Sequence, residues 1–162
     1  MTTPTFFSVA LATWRAVNAP YTTYARAGKS DDLPDAIVKL SIKAIKGARS
    51  ADTLGAEREG TGVVIDESGL ILTVGYLIIE AGSILAMAPD GRVHPATVVG
   101  FDHASGFGLL RASPGIIKRP IQMADSSTVK PLQTVRIAAH AAAGGVTAAC
   151  VSSRRQIGRA HV

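Results

Sequence analysis

The sequence predicts an all-β fold, an antiparallel barrel or sandwich, and three observations lead there. Hydrophobic residues make up 47% of the 162-residue chain and aromatic residues only 5%, so the core must come from Val, Ile, Leu and Ala. The β-branched members of that set fit the pleated, half-buried surface of a strand. The 16 glycines supply turn positions, where positive φ is needed. Short apolar runs recur at spacings of about 8–14 residues with turn residues between them, as in folds built from many short strands.

The elements follow in order. Residues 1–34 mix small, polar and turn-forming types, punctuated by Pro4, Pro20, Gly28 and Pro34, and are expected to be a poorly ordered N-terminal segment. Phe6–Thr13 is apolar and short, but no Lys or Arg precedes it, so the positive region of a signal peptide is missing. Ala36–Ala44 alternates as a half-buried strand does. Residues 46–60 are polar and Gly-bearing and read as a loop. Gly62–Asp66 and Leu70–Val74 form a hairpin about Glu67-Ser-Gly69, with Gly69 supplying the positive φ. Leu77–Ala81 is one helical turn or a short strand, ended by Gly82.

Ser83–Ala88 and Val93–Val99 form a second hairpin, because Pro-Asp-Gly91 between two apolar runs combines a fixed φ with a residue that tolerates the left-handed region. Gly100–Asp102 is expected to turn the chain before a strand at Phe107–Ala112. Thr134–Ala139 and Val146–Val151 are two further strands. Ile157–Val162 closes off no recognisable element and is expected to be a non-native tail.

Composition excludes several function classes. The apolar content excludes a disordered chain. No stretch reaches the 18 or so apolar residues of a membrane span. Formal net charge is +5, but Lys39, Lys43, Lys46, Arg49, Arg58, Arg92, Arg111, Lys118 and Arg119 are dispersed and not interleaved with aromatics. They read as solvated surface rather than a nucleic-acid footprint. Cys150 is the only cysteine, lies in an apolar run, and is expected to be a buried structural thiol.

Five pieces, in order, resemble trypsin-like serine proteases of the HtrA (Deg) type: Gly60-Thr-Gly-Val-Val-Ile-Asp-Glu-Ser-Gly69, Leu70-Ile-Leu-Thr73, Ala88-Pro-Asp-Gly-Arg92, Pro95-Ala-Thr-Val-Val-Gly-Phe-Asp102 and Gly108-Leu-Leu-Arg111. The match in order and spacing covers about residues 35–155. It implies the first β-barrel of a trypsin-like double-barrel fold over residues 35–112. Residues 113–156 would then be an inter-barrel linker and an incomplete second barrel, with a non-native tail at 157–162. The resemblance further implies peptide or protein partners, an extracytoplasmic setting, and no cofactor.

The pattern departs from the family where the chemistry belongs. After Ile-Leu-Thr73 the family places two residues and then its catalytic histidine; here Val74-Gly75 leads to Tyr76. Beyond the Val-Gly-x-Asp corner, the family's aspartate corresponds to Gly106. The family's Gly-Asn-Ser-Gly-Gly-like serine loop has no match, and the chain is expected to stop in early second-barrel sequence. A base that takes a proton from serine near neutral pH suits imidazole, with a pKa of about 6.5. A phenol, ordinarily near 10, holds its proton there. Aspartate orients the base and stabilises its cation, and glycine has no side chain for either task. A one-residue slip would substitute Leu77, which is no better. The expected consequence is a catalytically inactive pseudoprotease with no intact triad.

Other candidate chemistry is weaker. His103 follows Asp102, but adjacent residues in a strand point to opposite faces, so a turn-surface histidine is expected. His94 should be exposed beside its hairpin, and His140 should sit in a loop. With His161 they show no metal-ligand spacing, so no metal is expected. Gly28-Lys-Ser30 echoes a phosphate-binding loop without its preceding glycine or strand. Ser105 lies in the corner already described, not in a nucleophile elbow. Two rival readings remain: an active endopeptidase using His94 or His103 as base, and a small all-β binding module unrelated to proteases, whose signature would be a closed barrel incorporating residues 130–155. A half double barrel should also leave residues 113–162 poorly packed and prone to aggregate.

Overall fold

The computed structural model describes residues 36–117, 119–121, 123, 125–140 and 146–153. Its first strand, β1 (Ile37–Ala44), buries Val38, Leu40 and Ile42 and turns Lys39 and Lys43 outward. The outward lysines pair with Glu59 at 2.7 Å and Glu57 at 3.1 Å on β2 (Glu57–Val64). Exposed pairs of this kind add little stability. Each fully buried Leu or Ile adds about 1.5–3 kcal/mol, so the inward face is what holds β1.

Six strands close into one antiparallel barrel in the order β1, β2, β3 (Leu70–Val74), β6 (Phe107–Ala112), β5 (Val93–Asp102) and β4 (Ala81–Met87), which returns to β1. The core contains Val38, Leu40, Ile42, Val64, Ile71, Leu110 and Ile116. The β2–β3 hairpin is tightened by Asp66, whose carboxylate accepts from the Leu70 N–H at 2.9 Å and the Ser68 hydroxyl at 2.7 Å. Gly69 has φ +82, and a Cβ there would lie 2.7 Å from the Ala112 carbonyl oxygen. The hairpin therefore requires glycine for both conformation and space.

Five expectations are corrected. The loop assigned to 46–60 contains a helical turn, α1 (Ala51–Leu54), and ends at β2, which begins at Glu57. Glu57 and Glu59 face solvent and their lysine partners, so an outwardly polar strand carries no apolar run to reveal it. Leu77–Ala81 resolves into α2 (Gly75–Ile78), but Gly82 does not end it: Glu80, at φ +51, redirects the chain. Gly82 instead lies inside β4, close against Ile45.

Gly100–Asp102 is not a turn, because β5 runs through to Asp102 with a bulge between Val98 and Gly100. Packing decides this, since Phe101 pairs with Gly108 and lays its ring over Gly75. Cys150 is exposed rather than buried; it lies on β8 (Val146–Cys150), whose sole partner among the described residues is β7 (Thr134–Ala138). A two-stranded sheet has too little apolar neighbourhood to enclose a thiol. Of the 113–162 stretch expected to pack poorly, the part directly after β6 does pack: Ile116 and Ile121 are buried, and the Ile121 N–H donates to the Val64 carbonyl at 3.0 Å, whereas Met123 and Leu132 are exposed.

The barrel and the β7–β8 hairpin fall in separate compact units. Among the described residues, no helix is long and apolar enough to cross a membrane.

Candidate active site

β3 and β6 are adjacent, with Val74 opposite Phe107. That pairing carries the turn after β3 and the turn before β6 to the same end of the barrel. Beyond the last pair, the Gly75 N–H donates to the Gly106 carbonyl at 2.7 Å. Tyr76, the next residue, is 47% exposed, and Gly106 sits at φ +74 with open space where a side chain would project. The two positions that resemble the family's base and aspartate are thus neighbours, although 30 residues separate them in sequence. Leu77, the alternative under a one-residue slip, is buried in the core.

Behind this turn, Thr73 is buried and its hydroxyl donates to the Thr61 carbonyl at 2.9 Å. Gly75 lies under the ring of Phe101, and a Cβ there would come within 1.7 Å of it. Phe101 in turn meets His103 edge to face, with ring centroids 4.3 Å apart.

The remaining candidates do not assemble into a relay. Asp102, His103 and Ser105 share one exposed turn, but the Asp102 carboxylate accepts directly from the Ser105 hydroxyl at 2.6 Å. It also accepts from the backbone N–H groups of Ala104 and Ser105. The Ser105 hydroxyl bond, followed by these backbone bonds, holds the Asp102 carboxyl below the usual range. A triad needs the imidazole between the other two members; here the carboxylate caps a turn. His103 is exposed as expected.

His94 is not: it is half-buried on β5 opposite Ala86, and its Nε2 is buried without a hydrogen-bond partner. The barrel face of β5 draws the ring inward. No hydrogen bond joins either imidazole to a serine among the described residues. His140 is exposed and outside β7, whereas His161, Gly28-Lys-Ser30 and the 157–162 tail lie outside the described residues. Among the described residues, no three His, Cys, Asp or Glu side chains converge as metal ligands.

Arg58 was expected at the solvated surface and is instead 5% exposed. Its guanidinium donates to the carbonyls of Gly55 (3.0 Å), Tyr76 (3.2 Å), Leu77 (3.4 Å) and Ile79 (2.7 Å), and to the Ser50 hydroxyl at 2.8 Å. Buried charge is tolerated when its donors are met in this way. The signal in the sequence is period-two alternation, which puts Arg58 on the face of Gly60, Gly62 and Val64.

The barrel closes with six strands and leaves β7 and β8 out of it, contrary to the signature of an unrelated single-barrel binding module. No curated protein matches the chain. A family model for the trypsin-like peptidase domain matches residues 60–160, a span that runs from the middle of β2 to beyond β8. With that match and a closed β-barrel of the corresponding class, the chain belongs to the trypsin-like peptidase domain family.

Proposed function

We propose that this chain is an HtrA-type member of the family whose triad has decayed, and that it binds peptide or protein without cleaving it. Residues 35–112 stand for the first barrel in this reading, and the β7–β8 hairpin opens the second. The observation that carries it is the Gly75–Gly106 hydrogen bond: the frame that would join a histidine to an aspartate is present, with a phenol and a bare backbone at its two positions. Neither residue type supplies the imidazole–carboxylate pair that activates a serine.

The binding surface is constrained by topology. A closed barrel has no free strand edge, so an extended peptide adding a strand has β7 or β8 as its site among the described residues.

The test is labelling of the complete gene product with a fluorophosphonate probe, paired with fluorescence anisotropy on labelled β-casein as an extended protein ligand. No labelling together with saturable binding is the expected pair of results. Labelling that disappears on changing one serine, with Tyr76 and Gly106 intact, would overturn the inactivity. Absence of binding would remove the binding role.

A further inference from the structure

The turn that presents Tyr76 is held from behind by a charged cluster that owes nothing to what stands at the triad positions. Helix α2 is one turn long, and a helix of that length has no stability of its own. Its last carbonyls lack partners within the helix, and Arg58 takes those of Tyr76 and Leu77 together with that of Ile79, the residue just beyond it. A second arm of the guanidinium reaches the Ser50 hydroxyl at 2.8 Å. The Ser50 N–H donates to the Glu80 carboxylate at 2.7 Å, and the Ile45 N–H donates to the Glu80 carbonyl at 2.9 Å.

Glu80 holds a left-handed backbone, φ +51. For a residue with a Cβ this costs on the order of 1–2 kcal/mol, and such a conformation persists only when its surroundings over-determine it. The bonds from Ser50 and Ile45 are those surroundings.

We propose that Ser50, Arg58 and Glu80 form a latch on the Tyr76 turn, clasped while the Glu80 carboxylate is charged and released when it is neutralised. The charged side chain bearing on Glu80 is Arg58 from β2; Ser50 contributes its hydroxyl and N–H, and Arg49 its backbone N–H. These contacts, the Ser50 hydroxyl foremost, hold the Glu80 carboxyl below its usual range. A carboxyl lowered by folding stabilises the clasped state above its unfolded pKa, about 4.3, and that contribution is lost as pH falls through the lower folded value. Of the barrel strands only β2 takes part, through the Arg58 side chain, and neither Ser50 nor Glu80 belongs to a strand-pair register, so release frees the turn and leaves the barrel closed.

Two-dimensional amide NMR of the intact chain between pH 7 and pH 3 tests this. The Ser50 amide and the amides of Tyr76–Ile79 are expected to shift with one shared midpoint below about 4.3, while those of Leu40, Ile71 and Leu110 keep their positions through it. Glu80→Gln is expected to abolish the shared titration. Ser50→Ala is expected to raise the midpoint, since it removes the foremost of the lowering contacts. The latch is overturned if Ser50 titrates while the turn does not, if the turn titration survives Glu80→Gln, if Ser50→Ala leaves the midpoint in place, or if the barrel amides move with it. None of these outcomes depends on whether the protein cleaves or binds a peptide, so the latch and the pseudoprotease reading fail separately.

Discussion

The backbone N–H of Gly75 and the carbonyl of Gly106 are 2.7 Å apart, and this one bond ties the turn carrying Tyr76 to the turn between β5 and β6. A Cβ at Gly106 would meet nothing within 4 Å. The residue's φ of +74 suits aspartate better than most side chains, since Asp and Asn are enriched in the left-handed region. Tyr76→His with Gly106→Asp should therefore bring an imidazole and a carboxylate into reach. The imidazole's midpoint, followed by NMR, is expected about one unit higher in the double variant than in Tyr76→His alone. Equal midpoints would show that the two side chains do not meet.

Gly75 is the tightest point of the frame, with a Cβ position 1.7 Å from a Phe101 ring carbon and 3.0 Å from the Gly106 oxygen. Gly75→Ala should cost about 1–3 kcal/mol, the usual penalty of overpacking. Gly91→Ala makes no contact within 4 Å and should cost about 1 kcal/mol from its positive φ alone. Urea unfolding midpoints would rank the two, and a reversed order would contradict the packing of Phe101 on Gly75.

His94 gives the opposite expectation. Its buried Nε2 finds no partner, and an unpaired buried polar atom costs about 1–3 kcal/mol. His94→Leu removes that atom, so stability should hold or rise, against the loss of about 1 kcal/mol typical of a point substitution. A large loss in thermal unfolding would mean that Nε2 is satisfied.

Acid should weaken the fold. Asp66, Asp90 and Asp102 are each held below the usual range: Asp66 first by the Leu70 N–H, Asp90 first by the Arg92 N–H, and Asp102 first by the Ser105 hydroxyl. Their contribution is complete above the unfolded value of about 3.9 and disappears as pH falls through the lower folded values. The unfolding temperature should fall below about pH 4, and Asp102→Asn should make that fall shallower. An unaltered pH profile would show that the Ser105 contact is not retained in solution.

How much of this was legible in the sequence varied by element. Alternating runs such as Val38–Ile42 identified β1, and Glu67-Ser-Gly69 and Pro-Asp-Gly91 identified the two hairpins, because backbone geometry and apolar period are local properties. β2 was legible from Gly62 onward only. Its first half is outwardly acidic, and it becomes a strand through pairing with β1, its neighbour in the barrel. The true end of β5 was hidden for the same reason, since Phe101 is held by Gly75 and Gly108 rather than by its neighbours in sequence.

The sequence by itself determined which residue types stand at positions 76 and 106, and hence that neither an imidazole nor a carboxylate is present there. That follows from covalent identity and needs no coordinates. Only the tertiary structure decided that those positions are neighbours, that Arg58 is buried with its donors met, and that His94 turns an unpaired nitrogen inward. These depend on strand pairing and barrel closure, which join residues far apart in the chain; for Arg58 the period-two alternation of β2 marks the face, but not the carbonyls that meet its donors.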